Sequence, residues 1–405
     1  MNGTGRTSRK HKSKGRQQHT GGKLSKKQQA ILNAPVKLGE EVLVIIHGIG
    51  SSGEGVGRVD DFTVFVPFAL PGETVKVSIN MVKKTYATGK LIDIVTPASN
   101  RIEPTCNLYG VCGGCQLQHI TYEGQLSLKT QKVKDVIERI GHQNPNLVKP
   151  ALGPKEPWAY RNKMQMPVGG ARGDIQMGFY AMGSHDIVQG TNCPIQDDGN
   201  NTIAQVCYDI AKELDVEPYD EHTGKGVLRH VIGRIGQSGW MVILVTATEH
   251  LPHQEEWVER IINRIPQVET IVHNVNGKRT NVILGPINHV LYGDGTITDH
   301  IKDLRFTLSP HSFFQVNPEQ TTVLYDQALA YADLIGDETV IDAYCGTGTI
   351  SLFLAHKAKH VIGIEIVEPA IINARENARN NGYDNTEFIV ADAAVEMPKL
   401  YKAGV

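Results

Sequence analysis

The sequence predicts a multidomain protein with a β-barrel near the N-terminus, a central α+β domain and a C-terminal α/β domain of the Rossmann-like type. Three observations support this prediction. Strand-like segments separated by glycine turns fill residues 34–99, helical and strand-like segments mix over residues 100–303, and residues 304–405 contain a βαβ unit with a glycine loop. At 405 residues, the chain is long enough for two or three domains.

The N-terminal tail, residues 1–33, is predicted to be basic and disordered. Residues 1–30 contain nine Lys and Arg and no acidic residue, although the whole chain has a net charge of −2. The remainder has 32 basic and 43 acidic residues, so the charge is strongly asymmetric. Such a segment is too polar to pack and can bind phosphate backbones, although it can equally serve only as a solubilising tail.

The composition is typical of a globular protein from a reducing compartment. No uninterrupted apolar run is long enough to span a membrane, and the N-terminus lacks the apolar segment of a secretion signal. In this context the six cysteines are expected to remain thiols that bind metals or react, rather than to form disulfides. We therefore expect a cytoplasmic protein without a membrane partner.

Residues 34–99 are predicted to form a small barrel of the OB type. Four segments have strand-like patterns, at residues 42–46, 63–66, 74–79 and 87–94, with glycine turns between them. Barrels of this kind commonly bind single-stranded nucleic acid. Lys83, Lys84 and Tyr86 place two charges and an aromatic ring on one loop, which suits RNA but is equally compatible with a solvated loop.

The central region contains a pattern of cysteines that indicates a metal site. Its candidate ligands are Cys106, Cys112, Cys115 and Cys193. The first three are spaced C-x5-C-x2-C, and the fourth lies far downstream, directly before a proline. Four thiolates can bind zinc or a [4Fe–4S] cluster, and this uneven spacing is more typical of a cluster, with unrelated buried thiols as the alternative. Cys207 is predicted to be a core residue, and Cys345 a packing residue rather than a nucleophile.

The C-terminal βαβ unit has the features of a nucleoside-cofactor site. The loop at residues 342–349 follows an apolar strand and opens a helix, where Gly346 and Gly348 allow a ligand to approach the backbone. Glu365 ends the second strand and can accept hydrogen bonds from a ribose. The loop lacks the third glycine of a dinucleotide binder, which favours S-adenosylmethionine (SAM) over NAD or FAD. A tight turn without a ligand is the alternative.

Four passages occur in an order that is specific to one family. They are residues 48–73, the cysteine passage that runs through Cys-Gly-Gly-Cys-Gln-Leu-Gln-His at 112–119, the central motifs at 160–163 and 178–180, and the C-terminal motifs at 312–318 and 342–348. Together they resemble the bacterial RNA uracil-C5-methyltransferases, in particular the SAM-dependent rRNA branch with an N-terminal TRAM domain. The likeness covers the whole chain after the tail.

The resemblance implies a domain order and a set of site residues. A TRAM barrel would occupy residues 34–99, a central RNA-binding domain with an iron–sulfur motif 100–303, and a partial SAM-dependent methyltransferase domain 304–405. The four cysteines of the central region would hold a [4Fe–4S] cluster, and Arg161 and Lys163 would contact RNA. The implied SAM contacts are Gln315, Tyr344, Gly346, Gly348, Glu365 and Asp392, with the ribose on Glu365 and the adenine near Asp392. Helix capping is the alternative role for Gln315 or Asn317.

The resemblance also implies the reaction, which is methylation of uracil C5 in 23S rRNA by a protein that is a monomer by default and needs no protein partner. A cysteine thiolate adds to C6 in this family, and a general base later removes the proton from C5. No passage of the chain matches the family's nucleophile or its glutamate base. We therefore expect both to lie beyond Val405 and this chain to be inactive, with Val340 and Ile341 on an exposed strand edge. A tRNA methyltransferase and a non-catalytic RNA-binding protein are the alternatives.

Overall fold

The computed structural model describes residue 31 and residues 33–405, so nearly all of the predicted basic tail lies outside the described residues. The chain divides into two compact units, the first ending at Ser99 and the second beginning at Asn100. In the part of the chain that the structure describes, no helix has both the length and the apolar character needed to cross a membrane.

The first unit contains a closed five-stranded barrel in which the strand order is β1-β2-β3-β5-β4. Its strands are β1 (Glu41–Ile49), β2 (Gly55–Val59), β3 (Phe62–Val66), β4 (Thr74–Val82) and β5 (Tyr86–Thr96). Alternate side chains of β4 fill the interior, where Val75, Val77 and Ile79 are fully buried, as the two-residue period of a strand requires. The prediction of a small barrel is confirmed.

Two residues of the barrel unit, Glu73 and Tyr86, have structural roles that the sequence did not predict. Glu73 is buried, and its carboxylate accepts hydrogen bonds from the amides of Leu70 (2.8 Å) and Ala98 (3.2 Å), so it ties a turn to the end of the unit. Tyr86 begins β5 rather than lying in the loop, and its ring packs edge-on against Phe65 at 5.5 Å. Its ring is therefore partly engaged in packing.

The second unit is built around a seven-stranded mixed sheet with the order β12-β11-β10-β9-β6-β7-β8. The strands are β6 (Lys163–Ala171), β7 (Asp174–Tyr180), β8 (Ile187–Gln189), β9 (Leu228–Ile235), β10 (Trp240–Thr246), β11 (Val268–Val275) and β12 (Ile287–Tyr292). The helices of this region are α1 (Tyr122–Arg139), α2 (Asp198–Glu213) and α3 (Gln254–Arg264). Residues of α2 and α3, among them Ile203 and Trp257, pack on one face of the sheet against Met164 and Val242.

The remaining elements form a hairpin followed by a parallel three-stranded sheet with the order β15-β16-β17. They are β13 (Ile297–Ile301), β14 (Leu304–Leu308), α4 (Pro318–Ala332), β15 (Thr339–Ala343), α5 (Thr349–Ala355), β16 (His360–Glu365), α6 (Glu368–Asn380), β17 (Thr386–Val390) and α7 (Ala393–Lys402). Within this sheet β15 is an edge strand, and Val340 and Ile341 are only partly buried, as predicted.

One hydrophobic core joins the large sheet to the C-terminal elements. Ile232, Ile243 and Val272 of the sheet belong to the same buried cluster as Phe306 of β14 and Leu352 of α5. The predicted boundary between residues 303 and 304 falls in the turn of the β13–β14 hairpin. The second unit is therefore continuous across it.

Candidate active site and cysteine cavity

A cavity of about 840 Å³ lies at the carboxyl ends of β15 and β16. In a parallel sheet this edge is the usual place for a ligand, because the loops that follow neighbouring strands meet there. The lining comes from four segments of the chain and comprises Pro286, Ser309, His311, Ser312, Phe313, Tyr344, Gly346, Thr347, Glu365, Val367, Pro369, Ala370, Ile372 and Asn373. We call this space the cofactor cavity.

The glycine loop reaches the cofactor cavity in a conformation that few residues adopt. Tyr344, Gly346 and Gly348 have φ angles of 64°, 55° and 79°, all in the left-handed region. Gly348 is the N-cap of α5, and a Cβ there would lie 3.0 Å from the ring of Phe388. A side chain at that position would be both strained and crowded, which explains the glycine.

Glu365 is held against this loop by backbone hydrogen bonds. Its two carboxylate oxygens accept from the amides of Gly346 (3.3 Å) and Val367 (3.0 Å). Tyr344 projects from the loop with 73% of its surface exposed. The structure thus brings three of the predicted cofactor residues, Tyr344, Gly346 and Glu365, into one cavity, with an acceptor carboxylate beside an aromatic ring.

The other predicted cofactor residues lie elsewhere, and their roles stay predictions. Gln315 lines a separate cavity of about 450 Å³ beside α4. Asp392 is the N-cap of α7 and accepts from the amide of Ala394 at 2.8 Å. Asn317 caps α4 through the amide of Gln320 at 3.0 Å, so the capping role foreseen for this residue is confirmed.

Sequence reasoning missed two residues of the cofactor cavity, although both adjoin a motif that it used. Phe313, which is 68% exposed, and His311 line the cavity just before Gln315. The available signal was an exposed aromatic residue inside the motif at 312–318, of which the prediction had used only the amide side chains. The pair adds an aromatic ring and an imidazole to the lining that also contains Tyr344 and Glu365.

Cys345 lies within the glycine loop and is only 6% exposed. Burial raises the pKa of its thiol to about 12, and the negative charges of Asp342 and Glu365 add to the shift. A thiol with this pKa is almost entirely protonated at neutral pH, whereas a nucleophilic cysteine needs a lowered pKa. The prediction that Cys345 is a packing residue agrees with this environment.

We expect Cys345 to resist alkylation by iodoacetamide at neutral pH in the folded protein. Compared with a free cysteine, a pKa of about 12 lowers the thiolate fraction by roughly three orders of magnitude. Mass spectrometry of peptides from native and denatured samples would measure the labelling of this site. Labelling of native Cys345 at the rate found after denaturation would contradict the argument, and Cys345→Ser confirms the assignment of the peptide.

The four cysteines predicted as ligands line a second cavity, of about 280 Å³, which we call the cysteine cavity. The loop that contains three of them is folded tightly, because the amide of Cys112 donates to Leu108 O and that of Gly113 to Tyr180 O, both at 2.9 Å. The amide of Gly114 points at the sulfur of Cys112, at 3.4 Å. Gly114 therefore presents a backbone donor to a thiol, whereas the amide of Gly113 is used within the fold.

Cys193 reaches the cysteine cavity from a different segment. Its amide donates to Asn201 Oδ1 at 3.0 Å, and its carbonyl accepts from the Asn201 amide group at 3.2 Å. The prediction that a remote cysteine joins the three clustered ones is therefore supported by a shared lining. Within residue 31 and residues 33–405, no three Cys, His, Asp or Glu side chains are gathered closely enough to hold a metal ion.

The central motifs also meet at the cysteine cavity. Arg161, Phe179 and Tyr180 belong to its lining, and Lys163 begins β6 nearby. Gly178 fits between strands, because a Cβ there would lie 1.8 Å from the carbonyl oxygen of Val188 on β8. The motif at 178–180 thus combines a steric requirement for glycine with two aromatic rings that face the cavity.

Comparisons with known proteins agree with the barrel of the first unit and with the C-terminal elements of the second. A TRAM domain model matches residues 35–92, and a methyltransferase domain model matches residues 336–404. An uncharacterized RNA methyltransferase of Halalkalibacterium halodurans is 48% identical over 92% of this chain and 82% of its own length. One from Clostridium tetani is 47% identical over 92% of this chain and 81% of its own length.

A solved structure gives the same result for the fold. The tRNA (uracil-54, C5)-methyltransferase of Pyrococcus abyssi, in complex with S-adenosyl-L-homocysteine, has a TM-score of 0.69 and 25% identity, and the match covers 87% of this chain and 80% of that one. The chain therefore belongs to the family of RNA methyltransferases that contain a TRAM domain.

Proposed function

We propose that the protein takes part in SAM-dependent methylation of uracil C5 in RNA, with 23S rRNA as the substrate. The observation that supports this most directly is the cofactor cavity, in which Glu365 and Tyr344 flank the glycine loop at the edge of a parallel sheet. A structural relative with the same fold is a uracil-C5 methyltransferase that binds S-adenosyl-L-homocysteine. The rRNA assignment rests on the TRAM barrel together with the cysteine pattern.

In this proposal the residues of the cofactor cavity hold SAM by ordinary polar contacts. The carboxylate of Glu365 accepts from the ribose hydroxyls, since it already accepts two amides at the strand end. Gly346 lets the cofactor approach the backbone, Tyr344 offers an aromatic face, and Asp392 contributes near the adenine. Bound SAM supplies the methyl group.

The chemistry at the uracil needs a nucleophile and a base. A cysteine thiolate adds to C6 and makes C5 nucleophilic, and after the methyl group has been transferred a base removes the C5 proton so that the thiolate leaves. The target base must first be turned out of its stack. We propose that Cys345, the cysteine within the glycine loop, is not this nucleophile, because it is buried and its thiol has a raised pKa.

We also propose that the cysteine cavity holds a [4Fe–4S] cluster. Four thiols from two segments line one space, and thiolates are the usual ligands of such clusters. The amide of Gly114 beside the Cys112 sulfur is the kind of donor that tunes a cluster. When bound, the cluster would fix the loop that contains Cys106, Cys112 and Cys115 to the segment of Cys193.

Two alternatives have specific support. The structural relative acts on tRNA, which favours a tRNA substrate. The absence of a nucleophile from the cofactor cavity lining, as far as the described residues go, favours a non-catalytic RNA-binding protein derived from the family.

The proposal is tested by mapping 5-methyluridine in cells with and without the gene. Mass spectrometry of nuclease digests from purified 23S rRNA and from tRNA would show which pool loses the modification. We expect loss in 23S rRNA alone. Loss in tRNA alone would favour the tRNA alternative, and unchanged levels in both would favour the non-catalytic one.

A further inference from the structure

A third cavity, of about 240 Å³, lies beside the cysteine cavity and has no place in the proposed reaction. Its polar lining consists of His185, Glu221, Arg229, Arg279, Thr280 and Asn281. Tyr180 connects the two spaces, because it lines the cysteine cavity while its hydroxyl donates to Glu221 Oε1 at 2.9 Å. We call this third space the arginine cavity.

The acceptor of the arginine cavity is Glu221. One carboxylate oxygen is 2.9 Å from the Tyr180 hydroxyl and the other is 2.8 Å from His185 Nδ1. Burial alone would raise the pKa of Glu221, but the hydrogen bonds of His185 and Tyr180 hold it below the usual range, so the group is ionised at neutral pH. A carboxylate can accept about four hydrogen bonds, which leaves capacity for a ligand.

The donors are two arginines. Arg229 is 4% exposed, its guanidinium lies 4.5 Å over the ring of Tyr219, and its Nη1 donates to the carbonyls of Asn276 and Lys278. Its Nε has no hydrogen-bond partner among the described residues. A buried guanidinium N–H without an acceptor is costly, so the site favours a ligand that brings one.

Arg279 lies on the loop that closes this cavity. Its Nη2 donates to the backbone carbonyls of His222 (2.6 Å) and Glu221 (3.1 Å), which fixes the guanidinium beside the backbone of these two residues. The cavity therefore presents fixed guanidinium donors and a fixed carboxylate acceptor to the same small space. A phosphate would meet the negative charge of Glu221, so an anion alone does not match this lining.

A guanine base matches both the guanidinium donors and the carboxylate acceptor of the arginine cavity. Its N1–H and N2–H groups are donors for a carboxylate, and its O6 and N7 are the acceptors that arginine contacts most often in nucleic acids. RNA-binding proteins recognise splayed-out bases by such contacts and by stacking on aromatic rings. Tyr180 and His185 stack on each other at 4.7 Å with an interplanar angle of 16°, and each contacts one carboxylate oxygen of Glu221.

We propose that the arginine cavity binds a guanine base of the RNA substrate and so contributes to the choice of the methylated site. This inference rests on the proposed function, because it takes RNA as the substrate. Adenine lacks the N1–H donor that faces the carboxylate, and uracil places its single N–H between two acceptors. Guanine is therefore expected to bind best among the four bases.

The experiment titrates the full chain with the four nucleoside 5′-monophosphates by calorimetry, so that the phosphate is common to all. We expect GMP to bind at least about 10-fold more tightly than AMP, CMP or UMP, which corresponds to about 1.4 kcal/mol. Glu221→Gln should remove this preference, because its amide places a donor against the N1–H of guanine. Arg279→Gln should weaken GMP binding as well.

The control is Glu249→Gln, which changes an exposed carboxylate of the same unit outside this cavity and should bind GMP as the unchanged protein does. Equal affinity for all four nucleotides, no GMP binding, or displacement of GMP by inorganic phosphate alone would each overturn the inference. Binding of rRNA transcripts is measured in parallel. Failure of all RNA binding refutes the proposed function, whereas intact RNA binding without a guanine preference refutes this inference alone.

Discussion

Glu365→Gln is expected to lower the affinity for SAM by about 30-fold. The carboxylate ends β16 in the cofactor cavity, where it is oriented by the amides of Gly346 and Val367. A hydrogen bond to a charged group contributes about 1.5–3 kcal/mol, so loss of one such bond to a ribose hydroxyl costs about 2 kcal/mol. Calorimetric titration with SAM and with S-adenosylhomocysteine would measure the change.

Glu368→Gln provides a matched control for this measurement. Glu368 is the first residue of α6, is exposed and does not belong to the lining of the cofactor cavity. Its substitution should leave SAM affinity within about twofold. If Glu365→Gln bound SAM as tightly as the unchanged protein, the cofactor would lie elsewhere, and the reading of the glycine loop would be wrong.

Protein purified without oxygen is expected to be brown, with about four iron and four sulfide per chain, as a [4Fe–4S] centre requires. Cys193→Ser should abolish most of this iron, because it removes the ligand that comes from a second segment of the chain. Iron and sulfide analysis, together with the visible absorption, would measure the loss.

Cys207→Ala is the control for the cluster. Cys207 is fully buried in α2 within the core of the large sheet and is not part of the cysteine cavity lining. Its substitution should leave the iron content unchanged. Zinc in place of iron in the unchanged protein would contradict the cluster and favour the other thiolate-bound centre that the spacing allows.

Much of the fold can be predicted from periodic patterns in the sequence. Four of the five barrel strands, β1, β3, β4 and β5, lie within a few residues of the predicted segments, because each has a clear period of two residues, whereas β2 lies where a glycine turn was expected. The final βαβ unit also lies where it was predicted. Strands β6 and β7 were not predicted as strands, although the motifs at 160–163 and 178–180 overlap one end of each, and β8 was not predicted. In β6, Met164, Met166, Pro167 and Val168 make both faces apolar, which hides the alternation of a strand.

Site residues could be predicted where the chemistry requires a particular residue type. They were harder to predict where a role depends on the direction in which a side chain points. The four cysteines and Glu365 follow from ligand chemistry and from the end of a strand. Whether Gln315 faces the cofactor could not be predicted, because a loop has no period that fixes the direction of a side chain. Its cavity beside α4 is separate from the cofactor cavity in the structure. The arginine cavity draws on segments about a hundred residues apart, which no local motif reveals.

The core that joins Ile243 of the large sheet to Phe306 and Leu352 limits how this protein can change over evolution or by engineering. The C-terminal elements from β13 onward cannot be replaced as a unit, because the replacement would have to pack against the buried side chains of β9 to β11. New specificity is therefore easier to acquire in the loops that line the three cavities than by recombination of whole domains. The C-terminal elements and the large sheet are therefore expected to be inherited together.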